Sequence, residues 1–305
     1  MSDVLMYGRK YRLLLGEANA PEGIVVIEGH HVVFSAMLSA HSESNALNLQ
    51  IYNLSDDVIR KFDKEDSVVI LEAGYEDHFG VIFSGNVTKV MTVKHGPDFI
   101  TTVAAGDGSL IFREAKISYN GEKAVTLRTV LSNVVSQGFS GNGSLSMSGD
   151  VLDKTFAAGV SVVGGMKANL DAICDAHKLH WHILNNDACY IYPKDEASPR
   201  GKEVKAVVLS PSTGLIDSVE KIVKDVKHLK RDAKAPKQQG VSVKSLLNHE
   251  IFVGGFVVLK DTAVRGSGAS AVGNLDGQYI VTAVKHTGQF EGDDWTTAVE
   301  LQHIK

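Results

Sequence analysis

Residues Ser67 to Ala105 read SVVILEAGYEDHFGVIFSGNVTKVMTVKHGPDFITTVAA, and the periodicity of this stretch decides the fold. Val68, Ile70 and Glu72 alternate in side with Val69, Leu71 and Ala73, the two-residue period of a strand. Gly74, Glu76 and Asp77 break the run, Val81 to Val93 resumes it with β-branched residues at nearly every second place, and His95-Gly96-Pro97-Asp98 supplies a turn before Phe99 to Val103. An antiparallel meander is predicted. The same order returns late in the chain as Phe256-Val257-Val258-Leu259, a Gly/Ser loop, Tyr279 to His286, a turn at Gly288 to Asp294, and Trp295 to Val299. Both copies carry V-T-x-V, at Val87 to Val90 and Val281 to Val284, and then K-H, at Lys94-His95 and Lys285-His286. We read this as one β unit used twice.

Working outward, Tyr11 to Leu15, Ile24 to Ile27 and His31 to Leu38 read as strands, with Ala20-Pro21-Glu22-Gly23 as a turn. Ala46 to Tyr52 sets Leu47, Leu49 and Ile51 against Asn48 and Gln50, the pattern of a sheet with one dry face. Ser55 is the expected N-cap of a short helix ending near Phe62, with Asp56 and Asp57 in the first turn where the helix dipole favours them. Val241 to Asn248 stands before the second meander as Leu47 to Asn53 stands before the first, which extends the duplication.

The texture between the two units differs. Leu127, Val130, Leu131 and Val134 are spaced for a helix that Thr126 could cap, and Leu170, Ile173 and Cys174 for another over Met166 to Ala176. Gly138 to Gly149 is a Gly/Ser-rich loop, and Leu179 to Leu184 with Ala188 to Tyr192 reads as a hairpin around Asn185-Asn186-Asp187. Pro193 to Lys202 reads as a polar exit linker. The expected fold is therefore mainly β with an inserted α+β module: a first β domain at 1–109, the insert at 110–204 and a second β domain at 205–305. Lys221 to Lys237 is the one locally basic stretch, read as a solvated loop or edge strand, with a nucleic-acid or partner contact as the alternative. Ala263 to Asp276 is expected to be a mobile loop.

The 305 residues, 44% hydrophobic and 22% charged, are enough for two or three domains with real cores and exclude a disordered chain. A net charge of −5 argues against a protein whose main work is gripping duplex nucleic acid. No run approaches the ~20 apolar residues that span a bilayer, and Met1 to Lys10 lacks a signal-peptide pattern, so synthesis in a cytoplasm without stable membrane insertion is expected. Cys174 and Cys189 are expected as two buried free thiols, although a bridge between helix and strand is conceivable.

Candidates for chemistry do not converge. His177, His180 and His182 form H-x-x-H-x-H, with Cys174 or Asp175 near enough to complete a metal set; three histidines on a half-exposed edge are the commoner meaning of such a run. There is no H-E-x-x-H, and Gly138-Phe139-Ser140-Gly141 lacks the spacing of a nucleophile elbow. Glu72, Glu76 and Asp77 read as strand-edge solubilisers. No catalytic, cofactor or metal residue is assigned, and a structural or binding role is expected.

The residues also carry a resemblance. Y-R-L-L-L at Tyr11, I-V-V-I-E-G-H-H-V-V-F-S at Ile24, A-L-N-L-Q-I-Y-N-L-S at Ala46, V-V-I-L-E-A-G-Y at Val68 and H-G-P-D-F-I-T-T-V-A-A-G-D-G at His95, in that order, resemble the baseplate hub proteins of contractile-tailed bacteriophages. V-V-L-S-P-S-T-G-L-I at Val207, V-K-S-L-L-N at Val243 and D-W-T-T-A-V-E at Asp294 fit as well, and His249 departs from the pattern, which would place proline after L-L-N. The resemblance implies a homotrimer in which two barrel-like tube domains per chain form a pseudo-six-fold ring. It implies as partners the tail tube protein or tube initiator, the central spike and other baseplate proteins, with DNA in transient passage through the lumen; a polar or acidic lumen wall is expected, because like charge and no stacking platform let DNA pass without residence. The virion baseplate is the implied location, and the insert is expected outside the ring as a docking arm. Two rivals are a tail-associated cell-wall hydrolase using the histidine run or the middle module, and a distal-tail or other injection-machine component.

Overall fold

The computed structural model describes residues 6–17, 20–40, 45–62, 67–107, 115–139, 144–184, 188–216, 219–224, 238–262 and 275–304. The first part is built from β1 (Arg9–Glu17), β2 (Ala20–Ile27), β3 (Val32–Ser39), β4 (Asn45–Tyr52), helix α1 (Asp56–Phe62), β5 (Ser67–Tyr75), β6 (His78–His95) and β7 (Asp98–Asp107). A middle part follows: β8 (Lys116–Gly121), β9 (Val125–Thr126), α2 (Leu127–Gly138), β10 (Ser144–Met147), β11 (Thr155–Phe156), β12 (Val160–Gly165), α3 (Met166–Ala176), β13 (Leu179–Leu184), β14 (Ala188–Pro193) and α4 (Pro199–Glu203). The last part contributes β15 (Val207–Leu209), β16 (Glu220–Lys224), β17 (Gln238–Leu246), β18 (Phe256–Leu259), β19 (Gly277–Gln289) and β20 (Trp295–His303).

Thirteen strands from the two ends of the chain form one sheet in the order β16-β17-β20-β19-β3-β4-β7-β6-β5-β1-β2, with β18 on β19 and β15 on β18. The mainly β class follows from strands that alternate as their sequence demands: Leu47, Leu49 and Ile51 are buried while Ala46, Asn48 and Gln50 are exposed. Three apolar cores result. One gathers Leu13, Phe34, Leu49, Ile51, Leu71 and Phe83 and takes in Leu247 and Trp295 from the far end. The second lies inside the middle part around Leu131, Leu170, Trp181 and Ile191. The third gathers Val243, Val257, Val281, Val299 and Leu301 and takes in Leu38 and Ala40. Strand β3 thus feeds Val32, Phe34 and Ala36 to the first core and Leu38 to the third.

The local signals act as their chemistry requires. Thr126 caps α2 by accepting from the Thr129 N–H, and the Ser55 carbonyl accepts from Val58 and Ile59 at the start of α1. Gly96 takes φ +61° in the β6–β7 turn, a conformation glycine enters without Cβ strain. Cys174 and Cys189 are buried free thiols, their pKa values raised first by burial. Two expectations are corrected. Ala20 to Gly23 belongs to β2, with Glu17 already paired to Ala20; β2 lies at the end of the sheet, the position in which a strand tolerates a proline such as Pro21. Pro193 to Lys202 is docked rather than free: Ser198 is buried, caps α4 through Gly201 and donates to the Gly254 carbonyl, and a Cβ on Gly201 would stand 2.1 Å from that oxygen. Polarity there serves capping. The Asn185-Asn186-Asp187 turn, Ser140, residues 225–237 of the basic stretch and residues 263–274 of the Gly/Ser loop lie outside the described residues.

Candidate assembly surface

The two β units can be superposed on their hydrogen bonds. In the first, strands run β4-β7-β6-β5, and in the second β17-β20-β19-β18, all antiparallel. Each long strand carries a bulge against its neighbour, β6 between Val87 and Lys89 and β19 between Val281 and Ala283. The extra residue is a threonine in both. Thr88 Oγ1 donates to the Ala104 carbonyl and Thr282 Oγ1 to the Glu300 carbonyl, each at 3.1 Å, and these carbonyls belong to the residues paired with Lys89 and Ala283. The V-T-x-V repeat therefore encodes a bulge locked by its own side chain. Beyond it, Thr92 faces Thr101 at 3.0 Å as His286 faces Thr297 at 2.9 Å.

This superposition corrects the second half of the repeat. Lys285-His286 falls opposite Met91-Thr92, not Lys94-His95, because the bulge fixes the offset between the two strands.

The units differ in what covers the far half of the long strand. On β19, Gly277 to Ile280 pair with β18, and Ala283 to Gln289 pair with β3 through Ala283↔Ser39 to Gln289↔Val33. On β6, His78 to Asn86 pair with β5, and Lys89 to His95 have only β7 beside them among the described residues. Burial follows. Ala283, Val284, His286 and Gly288 are buried, whereas Lys89, Met91, Thr92, Val93 and Lys94 are exposed. Met91 is 47% and Val93 50% accessible, a pair of apolar side chains on an open edge. Such an edge presents unpaired N–H and C=O groups, a template for another strand. The counterpart of β3 in the second unit is β16, which pairs β17 as β3 pairs β4, and among the described residues it ends the sheet.

The histidine run lies elsewhere. His177 ends α3 and meets Phe156 edge-on at 6.0 Å. His180 and His182 share a face of β13, as the two-residue period predicts, but that face is covered: His182 stacks on Tyr190 at 5.3 Å, and Tyr192 lies 5.8 Å from His180 and 5.7 Å from His182. The three are not among the groups close enough to share an ion among the described residues. Burial, then Arg200, pulls His182 down to about 4 from 6.5. Native His182 therefore stays neutral between these values while the unfolded chain takes up a proton. Stability contributed by the neutral ring is expected to be lost as pH falls from about 6.5 towards 4, by up to roughly 3 kcal/mol. Urea midpoints across this range should flatten in His182→Phe; an unchanged slope would remove His182 as the cause. Glu72 pairs with Arg12, and Glu76 and Asp77 sit at the β5–β6 turn.

No protein-family model matches the chain, and no curated protein matches its sequence. Solved structures do match. The tail protein from Neisseria meningitidis MC58 aligns with TM-score 0.63 and 9% identity over 97% of each chain. The fold is that of phage tail proteins. The prophage MuSo2 43 kDa tail protein from Shewanella oneidensis aligns with TM-score 0.60 and 10% identity, over 96% of this chain and 98% of its own. An Escherichia coli component of the type VI secretion system, described as structurally similar to the T4 bacteriophage tail proteins gp27 and gp5, aligns with TM-score 0.59 and 8% identity, over 95% of this chain and 77% of its own. The tail-protein fold thus covers almost the whole chain, the middle part included. In this chain no described helix is long and apolar enough to cross a membrane.

Proposed function

We propose that the chain is a baseplate hub of a contractile phage tail, a homotrimer whose doubled β unit makes a pseudo-six-fold ring between a six-fold tube and a three-fold spike. One observation carries this reading: among the described residues, the edge that β3 covers on β19 is open at the equivalent place on β6, while β16, the equivalent of β3, is an end strand. A head-to-tail contact that joins β16 of one copy to β6 of the next repeats within the ring what β3 and β19 do within the chain, and it leaves neither edge open once the rotation closes. Three chains then supply six equivalent junctions. In this reading residues 1–109 and 205–305 are tube domains around a DNA passage with a polar or acidic wall, and residues 110–204 stand outside as an arm for other baseplate proteins.

The test is the solution mass by light scattering over a range of concentrations. A particle of three 32.8 kDa chains is expected. A monomer at every concentration, with no ring formed on addition of the spike or tube protein, overturns the proposal. Labelling of purified virions at the baseplate distinguishes a phage hub from a component of another injection machine. A hydrolase acting through the histidine run requires His180 at an open site, whereas β13 holds it buried beside Tyr192.

A further inference from the structure

The turn after β17 carries Asn248-His249-Glu250, and Asn248 organises it. Its backbone N–H donates to the Thr297 hydroxyl at 3.0 Å, and its side-chain oxygen accepts from the Glu250 N–H at 2.9 Å. The same oxygen lies 3.0 Å from His78 Nε2 at the start of β6, in the other β unit. Because Glu250 identifies that oxygen as the acceptor, His78 donates through Nε2, which leaves Nδ1 as the ring's basic nitrogen. Metal-binding histidines are held in this way, by a carbonyl on the nitrogen that does not ligate.

His249 lies against His78 with ring centroids 4.4 Å apart and planes tilted by 50°. It also lies against the β6 backbone so closely that a Cβ on Gly80 would stand 2.4 Å from its Cδ2. Its Nδ1 is buried and has no hydrogen-bond partner. A buried polar atom left in that state is costly, and a missing ligand is one of the few reasons to keep it. Burial first, and then His78, lower the His249 pKa, while Glu250 acts in the opposite direction. His78, His249 and Glu250 each place a ligand atom within 4.8 Å of the others, and they form the one such group among the described residues.

We propose that His78, His249 and Glu250 bind a divalent transition-metal ion of the zinc class, coordinated across the seam between the two β units. Two imidazoles and a carboxylate are a donor set that zinc accepts, with a fourth position left for water. Ligand atoms around one zinc stand about 3.3 Å apart, so the group must contract, and exposed Glu250 is free to swing inward. A cleft lined by Val81, Arg200, Lys205, Phe252, His249 and Glu250 opens beside two of the three ligands. The ion would fasten the β5–β6 hairpin to the turn after β17, two segments far apart in the chain.

The experiment uses tag-free protein stripped with chelator, loaded with Zn2+ and passed through gel filtration, with Co2+ absorption as a second readout. About one zinc per chain, a Tm raised by the metal and a visible Co2+ band are expected. His249→Ala and His78→Ala should each weaken binding by at least about tenfold. Glu250→Gln, at an exposed position, should do so with an unchanged metal-free Tm, which separates lost ligation from lost folding. His177→Ala should bind as the parent does. A parent protein that retains no zinc, or an undiminished affinity in His249→Ala and Glu250→Gln, overturns the site.

Discussion

A Met91→Cys/Ile222→Cys double variant is expected to link copies covalently into a closed trimer on mild oxidation. The register follows from the junction already present in the chain, where Lys285 faces Met37 and Ala283 faces Ser39. The bulge superposition carries Lys285 to Met91, and the pairing of β16 with β17, in which Lys221 faces Val241 as Ala36 faces Leu47, carries Met37 to Ile222. Directly opposed residues of an antiparallel pair have Cα atoms about 4.5–5.5 Å apart, within disulfide range. Non-reducing electrophoresis should show two- and three-chain bands, whereas Met91→Cys alone and the misregistered Met91→Cys/Val223→Cys pair should stay monomeric. The native thiols add little background, since both are buried. A trimer by light scattering that yields no linked species would place the contact on another surface.

The second large effect is on stability. Trp295 opens β20 in the second unit, yet it packs in the core of the first, edge-on to Phe34 at 5.3 Å. Its indole N–H donates to the Gly74 carbonyl at 3.0 Å, and the Arg9 guanidinium lies 5.8 Å from its ring. Trp295→Ala should cost about 3–5 kcal/mol from the cavity, with a further penalty for the buried carbonyl left unpaired. Trp295→Phe should recover much of the packing but not the hydrogen bond. A loss below about 1 kcal/mol in Trp295→Ala would falsify the view that this residue locks the units together. Both variants can be ranked by urea midpoint.

The strands and their faces were legible because burial in a sheet imposes a period of two, as β3 and β4 illustrate. The duplication was legible in V-T-x-V, since the bulge needs a threonine hydroxyl at one place. The K-H half of the repeat misled: two residues of like type recurred without sharing a register, and only the ladder fixes an offset. The docking of Pro193 to Lys202 was hidden because a buried cap and a solvated linker call for the same polar residues. His249 could be noticed as an oddity, but its neighbour His78 could not. Nothing local to either residue indicates that Asn248 joins them. Similarly, the open edge of β6 is invisible in its composition, since β6 and β19 are alike and only the presence of β3 distinguishes them.

The interleaving of β3 with β19 also bears on how the chain comes off the ribosome. Arg9 donates to the carbonyl of Gln289, 280 positions away, and β3 waits for a partner synthesised long after it. Until then the nascent first unit holds β3 as a further open edge, beside the far half of β6 and the end strand β2, with no means of telling a sister chain's strand from its own. Contacts of such long range are slow to form, and exposed edges aggregate meanwhile. Truncated products should therefore be the sticky species in expression, and a chain cut short before residue 277 should precipitate while the full chain stays in solution. Neighbouring polysomal chains would be well placed to assemble as they emerge, so yield is expected to depend on translation rate more steeply than the stability of the finished fold would suggest.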